Sequence, residues 1–319
     1  MKAAVVTDRN APPTWSAFAE PTVTDGEAIV TVEAAALSPL TRAIASGKHY
    51  SSAATENFVA GIDGVGRLDG GRRVYFAFPR APFGAMAERA PVLDAHYADL
   101  PSGVDLVTAA AIANPGMSSW VALAERARFQ RGESVLINGA TGVAGQLAIQ
   151  IAKHLGAKYI VATGRRGEQL ARLRELGVDH VLTLSEPEPE LTASFRKALH
   201  DFHVDVVLDY LWGEPAKLLF AAIAQSHRDD DRRLRFVQIG SIAGAQISFD
   251  SSVLRSTNLE VLGSGLGSVT QPRLVACIGD LMRAIDPAGL HLETETRRFE
   301  EVGEAWNIET GSRRLVFTK

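Results

Sequence analysis

The chain has 319 residues, 46% of them hydrophobic, and its 33 Lys and Arg residues against 37 Asp and Glu give a formal charge of −4. This length predicts about two domains, each large enough for a core of its own. The slightly acidic balance argues against nucleic acid and anionic membranes as partners, because both require clustered positive charge.

The N-terminus and the single cysteine narrow the class further. The apolar stretch of MKAAVVTDRN ends at Asp8, before a signal-peptide core could form, and nowhere do about 18 apolar residues follow one another. We therefore expect a cytoplasmic protein. Cys277 alone can form neither an intramolecular disulfide nor a zinc site of several thiolates, and its apolar helical surroundings predict a buried small side chain.

Residues 1–115 have the composition of a β-rich segment. β-branched and small apolar residues at 2–6 and 27–35 predict strands, and the glycines of 61–76 predict turns and bulges between short strands. Strand-like composition returns at 294–319.

Beyond about residue 115, apolar strands alternate with segments of helical period, which is typical of βαβ units around a parallel sheet. The predicted strands are 134–138, 159–163, 180–184, 204–209, 235–240 and 259–263. The predicted helices are 144–155, 168–176, 190–201, 215–224 and 271–285. The acidic run 186–190 is predicted to be a solvated loop. The fold class is therefore α/β, with a doubly wound parallel sheet.

The strand at 134–138 leads directly into a glycine-rich turn that a helix follows. Binding a dinucleotide pyrophosphate requires N–H groups at a helix N-terminus, a residue without Cβ beside the phosphate, and close packing of helix on strand. Gly142 and Gly145 lie where these needs fall, with Ala140 at the first position of G-x-G-x-x-G. The predicted contacts are Gly139, Thr141, Gly142, Val143, Ala144 and Gly145. The alternative is a glycine-rich turn without a ligand.

The second strand of this unit continues as Gly164-Arg165-Arg166. Arg165 follows Gly145 by 20 residues, which is the spacing of the residue that reads the ribose. An acid there would accept hydrogen bonds from the hydroxyls of NAD, whereas arginine offers a planar donor fork to a 2′-phosphate. We therefore predict NADP(H), with Arg165 as the first candidate and Arg166 as the second. The alternative is that both arginines end a solvated loop.

Two other nucleotide-binding classes fit less well. S-adenosylmethionine methyltransferases usually bind the ribose with an acid. Short-chain dehydrogenases need Tyr-x-x-x-Lys, yet the residues four positions after the five tyrosines are Ala54, Pro79, Pro101, Thr163 and Glu214.

Three further segments carry a resemblance to a known family. SPLTRAIASGKHY (38–50) resembles N-P-x-D…G-x-Y, GIDGVG (61–66) resembles G-x-E/D-G-x-G, and AAIANPGMSSW (110–120) resembles the loop that precedes a nucleotide domain. With NGATGVAG, the chain resembles the medium-chain dehydrogenase/reductase superfamily over its whole length. The resemblance implies a GroES-like substrate domain at 1–115, a Rossmann NADP-binding domain at 116–265 and a return to the substrate domain at 266–319, with the active site in the cleft.

The metal ligands of this superfamily's zinc alcohol dehydrogenases are a Cys, a His in a G-H-E motif and a later Cys or acid. Here the first position falls among residues 38–40, the histidine position is Ile62, and Asp63 alone keeps an acid. Because one carboxylate is no tetrahedral zinc site, we predict no metal. The chain is therefore similar to the zinc-free quinone oxidoreductases and the enoyl or alkenal reductases. His200 and His203 are interpreted as surface residues.

The resemblance implies hydride transfer from NADPH to a quinone or an α,β-unsaturated carbonyl compound. It implies Tyr50 as a proton donor, with pocket lining as its alternative role. The implied substrate pocket consists of Leu40, Tyr50, Met117, Tyr210 and Trp212. Further implied cofactor contacts are Asn114, Ser118, Gly164, Ile239, Gly240, Ser241, Gly263 and Ser264, for which ordinary turns and core are the alternative.

Two other functions stay open at this point. One is an enoyl-thioester reductase of fatty-acid or polyketide type, which would need a basic channel where the sequence offers only Arg42 and Lys48. The other is a non-catalytic NADPH-binding sensor or structural protein. The resemblance further implies a homodimer, with 259–265 as the candidate interface.

Overall fold

A computed structural model of the chain describes residues 1–49, 52, 57–165, 167–226 and 232–319. The chain divides into two compact units. The first unit is formed by Met1–Met117 and Gln271–Lys319, and the second unit by Ser118–Thr270. These divisions fall near the domain boundaries expected at 115/116 and 265/266.

The strands are β1 (Lys2–Val6), β2 (Thr14–Ala17), β3 (Glu27–Ala36), β4 (Phe58–Val59), β5 (Asp63–Arg67), β6 (Arg73–Ala77), β7 (Arg89–Leu93), β8 (Tyr97–Asp99), β9 (Ser134–Asn138), β10 (Ile160–Gly164), β11 (His180–Thr183), β12 (Val204–Asp209), β13 (Leu234–Gln238), β14 (Leu259–Gly263), β15 (Thr294–Arg298) and β16 (Arg314–Thr318). The helices are α1 (Pro39–Ala45), α2 (Leu106–Val121), α3 (Val143–Leu155), α4 (Gly167–Glu175), α5 (Glu188–Asp201), α6 (Gly213–Ser226), α7 (Ser251–Ser256), α8 (Gln271–Ala288) and α9 (Val302–Ala305). A π-helical segment, Ala122–Ala127, extends α2, and 3₁₀ turns lie at Asp94–His96 and Phe299–Glu301.

The first unit is built on two sheets. A small sheet has the order β2-β1-β4, and a larger one runs β15-β16-β3-β5-β6-β8, with β7 also paired to β3. Apart from the parallel pair β15–β16, the strands pair antiparallel. Alternating residues of β3 and β6, with Phe317 of β16, are fully buried and form the core of this unit.

The second unit contains a six-stranded sheet of order β11-β10-β9-β12-β13-β14, and every pair in it is parallel. Counted within the unit, this order is 3-2-1-4-5-6, which is the doubly wound order of dinucleotide-binding folds. The predicted α/β class and doubly wound sheet are confirmed. The order reverses between β9 and β12, so the expected ligand position lies outside the carboxyl ends of these two strands.

Two segments predicted as loops are helical. Residues 110–120 belong to α2, because alanines, the strongest helix formers, dominate 109–113 and are buried. The acidic run contributes Glu188 and Glu190 to the first turn of α5. Negative side chains there face the positive end of the helix dipole, and Pro189 is tolerated at a helix start.

Helix 106–127 is long and apolar enough to cross a membrane by length and composition, and no other helix in the described part of the chain is. Of its most apolar window, 72% is buried inside the protein, as is typical of a core helix.

Candidate functional site

Two glycines of the turn after β9 cannot carry a side chain. Gly139 has φ +90, and an added Cβ would lie 2.7 Å from Cδ2 of Leu211. A Cβ on Gly145 would lie 2.5 Å from the Cα of Ala140, because α3 packs directly on the turn. The sequence therefore folds this turn tightly against both α3 and the segment after β12.

The start of α3 fits a phosphate group. Gly142 is the N-cap, no side chain caps the helix, and nothing lies within 4 Å of a Cβ added at Gly142. The N–H groups of Val143 and Ala144 have no partner within the helix, and the helix dipole adds partial positive charge. Gln146 Nε2 donates to the carbonyl oxygen of Thr141 at 3.0 Å and fixes the turn. These features suit the pyrophosphate of a dinucleotide.

The end of β10 lies against the same turn. A Cβ on Gly164 would meet Cγ2 of Thr141 at 2.5 Å, so these two backbones approach closely. Arg165 follows and is exposed, and its carbonyl oxygen accepts from Ser185 Oγ at 3.0 Å. Among the residues described, its guanidinium forms no ion pair, so it can meet a ligand phosphate. Arg166 lies outside the described residues.

Beneath the turn, three fully buried polar side chains are joined in a row, and we call Asn138, Thr163 and Asp209 the strand-end network. Thr163 Oγ1 donates to Asn138 Oδ1 and Asn138 Nδ2 donates to Asp209 Oδ1, both at 2.8 Å. The N–H of Gly139 donates to Thr163 Oγ1 at 2.9 Å. The network thus links the ends of β10, β9 and β12.

The carboxylate of Asp209 holds the segment that follows β12. It accepts from the N–H groups of Leu211 at 3.2 Å and of Trp212 at 3.0 Å. Burial raises the pKa of Asp209 to about 6, although the hydrogen bonds from Asn138, Leu211 and Trp212 oppose this rise. At neutral pH the group is therefore mainly a carboxylate that accepts hydrogen bonds.

The predicted residues at the ends of β13 and β14 also lie at this edge of the sheet. The N–H groups of Ile239 and Gly240 donate to the carbonyl oxygen of Asp209 at 2.8 and 3.1 Å, and Ser241 is exposed. The carbonyl of Gly263 accepts from Arg126 Nε at 2.7 Å. The N–H of Ser264 donates to the carbonyl of Gln238 at 2.8 Å.

Tyr210 and Trp212 are held in different ways. Tyr210 is buried, its hydroxyl lies 3.5 Å from Ser118 Oγ, and burial raises its pKa to about 12. Trp212 has φ +54, and its ring packs edge-on against Phe220 and Phe236 in the core of the second unit. The indole therefore contributes to packing beside the strand-end network.

The remaining predicted site residues belong to the first unit. Leu40 is half-buried on α1, and Asn114 and Met117 are half-buried on α2. Tyr50 lies outside the described residues.

Asp63, at the acid position of the family motif, is 4% exposed and accepts from the Tyr75 hydroxyl at 3.3 Å. Burial raises its pKa to about 6, against the opposing charge of Arg314. Burial in turn lowers the pKa of the Arg314 guanidinium to about 10. The described residues contain no group of three or more His, Cys, Asp and Glu arranged to hold a metal ion.

Three residues that the sequence left without a role lie as expected. His200 and His203 are exposed on the surface, and Cys277 is buried.

The sequence analysis missed Asn138, Thr163 and Gln146. A signal for two of them is present, because each ends an otherwise apolar buried strand. Since buried polar side chains are almost always hydrogen-bonded, such residues at neighbouring strand ends predict contact with one another.

Comparison with known proteins agrees with this architecture. The family model described as zinc-binding dehydrogenase matches residues 143–280. A probable NADPH-dependent quinone reductase, tdiC, of Emericella nidulans is 30% identical over 230 residues, 67% of this chain and 62% of that protein. The highly reducing polyketide synthase poxF of Penicillium oxalicum is 29% identical over 185 residues, 58% of this chain and 7% of that protein.

Among solved structures, the quinone oxidoreductase from Thermus thermophilus, also known as a complex with NADPH, is 26% identical. The likeness covers 100% of both chains with a TM-score of 0.79. The chain thus spans less than two thirds of the two curated relatives but the whole of this structure. It belongs to the medium-chain dehydrogenase/reductase superfamily, in the quinone oxidoreductase-like branch.

Proposed function

We propose that this chain is an NADPH-dependent oxidoreductase that reduces quinones or α,β-unsaturated carbonyl compounds without zinc. The observation that carries the proposal is the open start of α3 at the switch point of a doubly wound sheet, with Arg165 after the next strand. The similarity to a probable NADPH-dependent quinone reductase and to a quinone oxidoreductase studied with NADPH supports it.

Each part of the cofactor has residues suited to it. The N–H groups at 143–145 bind the pyrophosphate, and Arg165 binds the 2′-phosphate, assisted by Arg166. Bound NADPH supplies a hydride to the acceptor. The residues at the ends of β12, β13 and β14 form the wall of the cofactor site.

Zinc independence rests on residue types. The residues matched by the family model, 143–280, do not include the positions of the metal ligands, 38–40 and 62–63. At those positions Ser38 Oγ accepts from the Thr41 N–H at 2.8 Å, and Asp63 is engaged by Tyr75. Quinones and conjugated enones accept hydride at carbon, so hydrogen-bond donors or water can stabilise the oxygen charge that develops. Tyr50 is our candidate proton donor.

A second candidate function is reduction of an enoyl thioester of the polyketide type. The matches to polyketide synthases favour it, including poxF and a phthioceranic/hydroxyphthioceranic acid synthase of Mycobacterium tuberculosis, 34% identical over 143 residues. The two candidates share the cofactor and differ in the acceptor, so the relative kcat/KM for an enoyl thioester and a free quinone decides between them.

Location and assembly complete the proposal. We propose that the protein is cytoplasmic and forms a homodimer through β14, the edge strand of the six-stranded sheet. Val261 on this strand is 40% exposed and gives the edge an apolar contact.

The cofactor assignment is tested by dissociation constants of NADPH and NADH for the wild-type protein and Arg165→Ala. We expect the wild type to prefer NADPH and Arg165→Ala to lose at least about tenfold of that preference, since a charge-assisted phosphate contact disappears. Arg255→Ala removes another exposed arginine of the second unit and serves as the matched control. An unchanged preference in the double variant Arg165→Ala/Arg166→Ala contradicts the role of the arginines.

A further inference from the structure

The strand-end network occupies one row across three adjacent parallel strands. Asn138 is the direct neighbour of Asp209 in the register of β9 and β12, and Thr163 follows the last paired residues of β9 and β10. All three side chains are fully buried, so water does not compete for their hydrogen bonds.

The direction of each hydrogen bond in the row is determined. Asp209 can only accept as a carboxylate, so the Asn138 amide group turns its Nδ2 toward Asp209 and its Oδ1 toward Thr163. The Thr163 hydroxyl then gives its proton to Asn138 and accepts from the Gly139 N–H. Each side chain is therefore held in one orientation by its neighbour.

Both ends of the row hold backbone that the cofactor needs. At one end, Thr163 fixes the N–H of Gly139, the first residue of the glycine-rich turn. At the other end, Asp209 fixes the N–H groups of Leu211 and Trp212 and so maintains the unusual φ of +54 at Trp212.

The two held segments also touch each other. The side chain of Leu211 occupies the place where a Cβ on Gly139 would lie, 2.7 Å from Cδ2. A shift of either segment therefore requires the other to move.

From this geometry we propose that Asn138, Thr163 and Asp209 are positioning residues that preorganise the glycine-rich turn and residues 210–212 for NADP(H). This inference rests on the proposed function. A turn fixed before binding loses less conformational freedom on binding, so the network should appear in cofactor affinity. None of the three residues has to touch the cofactor.

The test compares Thr163→Val with Thr163→Ser in the full chain. Valine keeps the shape but leaves the Gly139 N–H and Asn138 Oδ1 without their partner, whereas serine keeps the hydroxyl. We expect Thr163→Val to raise the Kd and the KM of NADPH about tenfold, with kcat at saturating NADPH changed less than about twofold. Thr163→Ser should restore the Kd to within about threefold of the wild type.

Thr257→Val is the matched control, because the Thr257 hydroxyl donates to the Val253 carbonyl at 2.7 Å in the same unit, away from the turn. It should lower the melting temperature without changing the Kd of NADPH. Asp209→Asn is a second variant at the opposite end of the row. It removes the buried charge, places an amide N–H beside the N–H of Trp212, and should also raise the Kd.

The outcomes separate the two proposals. If wild-type protein fails to bind NADPH in a calorimetric titration, the proposed function is wrong. If the wild type binds NADPH but Thr163→Val and Asp209→Asn keep its Kd while their melting temperatures fall, the network is merely structural and this inference is overturned.

Discussion

Each unit of the molecule buries a group of polar side chains, and the two groups are satisfied to different degrees. In the second unit, every polar side-chain atom of Asn138, Thr163 and Asp209 has a hydrogen-bond partner. In the first unit, Nε of Arg42 and both Nε and Nη2 of Arg314 are buried without a hydrogen-bond partner among the described residues.

This difference has an energetic meaning. A buried network whose members are all paired fixes geometry, whereas a buried charge without full pairing costs stability. Arg314 and Asp63 attract each other, but burial dominates the pKa shift of each group. We therefore expect changes in the second unit's network to alter cofactor binding, and changes around Asp63 to alter stability and its dependence on pH.

The largest expected effect comes from Gly145→Ala. Its new Cβ would lie 2.5 Å from the Cα of Ala140, and backbone cannot give way as a side chain can. We expect the Kd of NADPH to rise at least about 100-fold and stability to fall by about 3 kcal/mol, as for overpacking of a tight interior.

Two alanine variants make this result specific. Gly142→Ala finds open space and has φ −78, so it should keep stability and weaken only the binding of NADPH. Gly267→Ala also finds open space, away from the turn, and should change neither quantity. Equal loss of stability in Gly142→Ala and Gly145→Ala would contradict the packing described for α3.

The next effect concerns pH and Asp209. Its pKa is raised in the folded protein to about 6, from 3.8, so the folded state holds the proton more tightly than the unfolded state. Its contribution to stability is therefore complete below about pH 4 and is lost as the pH rises through about 6. The total is up to about 3 kcal/mol, since one pKa unit corresponds to about 1.4 kcal/mol.

Urea denaturation of the wild type and Asp209→Asn measures this contribution. The stability of the wild type relative to the variant should increase from pH 7.5 to about pH 4.5. Asp201→Asn is the control of opposite sign, because hydrogen bonds from Lys197 and His200 lower the pKa of the exposed Asp201. A difference that decreases toward low pH for Asp209→Asn would show that burial does not dominate at Asp209.

The smallest of these effects is expected for Tyr75→Phe in the first unit. The Tyr75 hydroxyl is buried and donates to Asp63, and its loss should cost about 1–2 kcal/mol. It should also raise the pKa of Asp63 further above its usual range. The Kd of NADPH should stay within about twofold of the wild type, and a larger change would remove the contrast between the two groups.

The sequence predicted the second unit better than the first. The parallel strands from β9 to β14 follow from apolar runs, and the glycine-rich turn follows from the chemistry that its ligand demands. Arg165 followed from its spacing alone. Local patterns of this kind carry their meaning within a few residues.

The missed features depend on contacts between distant residues. Asn138, Thr163 and Asp209 lie up to 71 residues apart and meet only because the sheet order places β10, β9 and β12 side by side. Likewise, the need for glycine at position 139 comes from Leu211, which no local pattern connects to the turn. The loop predicted at 110–120 is part of α2 instead, because the helix propensity of its alanines outweighs the family resemblance of the segment.

The most direct test of the central claim is oxidation of NADPH by the EDTA-treated protein, with an ortho-quinone, a simple enone and an enoyl thioester as parallel acceptors and NADH as the control. We expect turnover that prefers NADPH, is unaffected by EDTA, and is faster with the quinone or the enone than with the thioester. Absence of turnover with every acceptor despite tight binding of NADPH would indicate a non-catalytic NADPH-binding protein. Activity lost on EDTA treatment and restored by zinc would contradict the metal-free reaction.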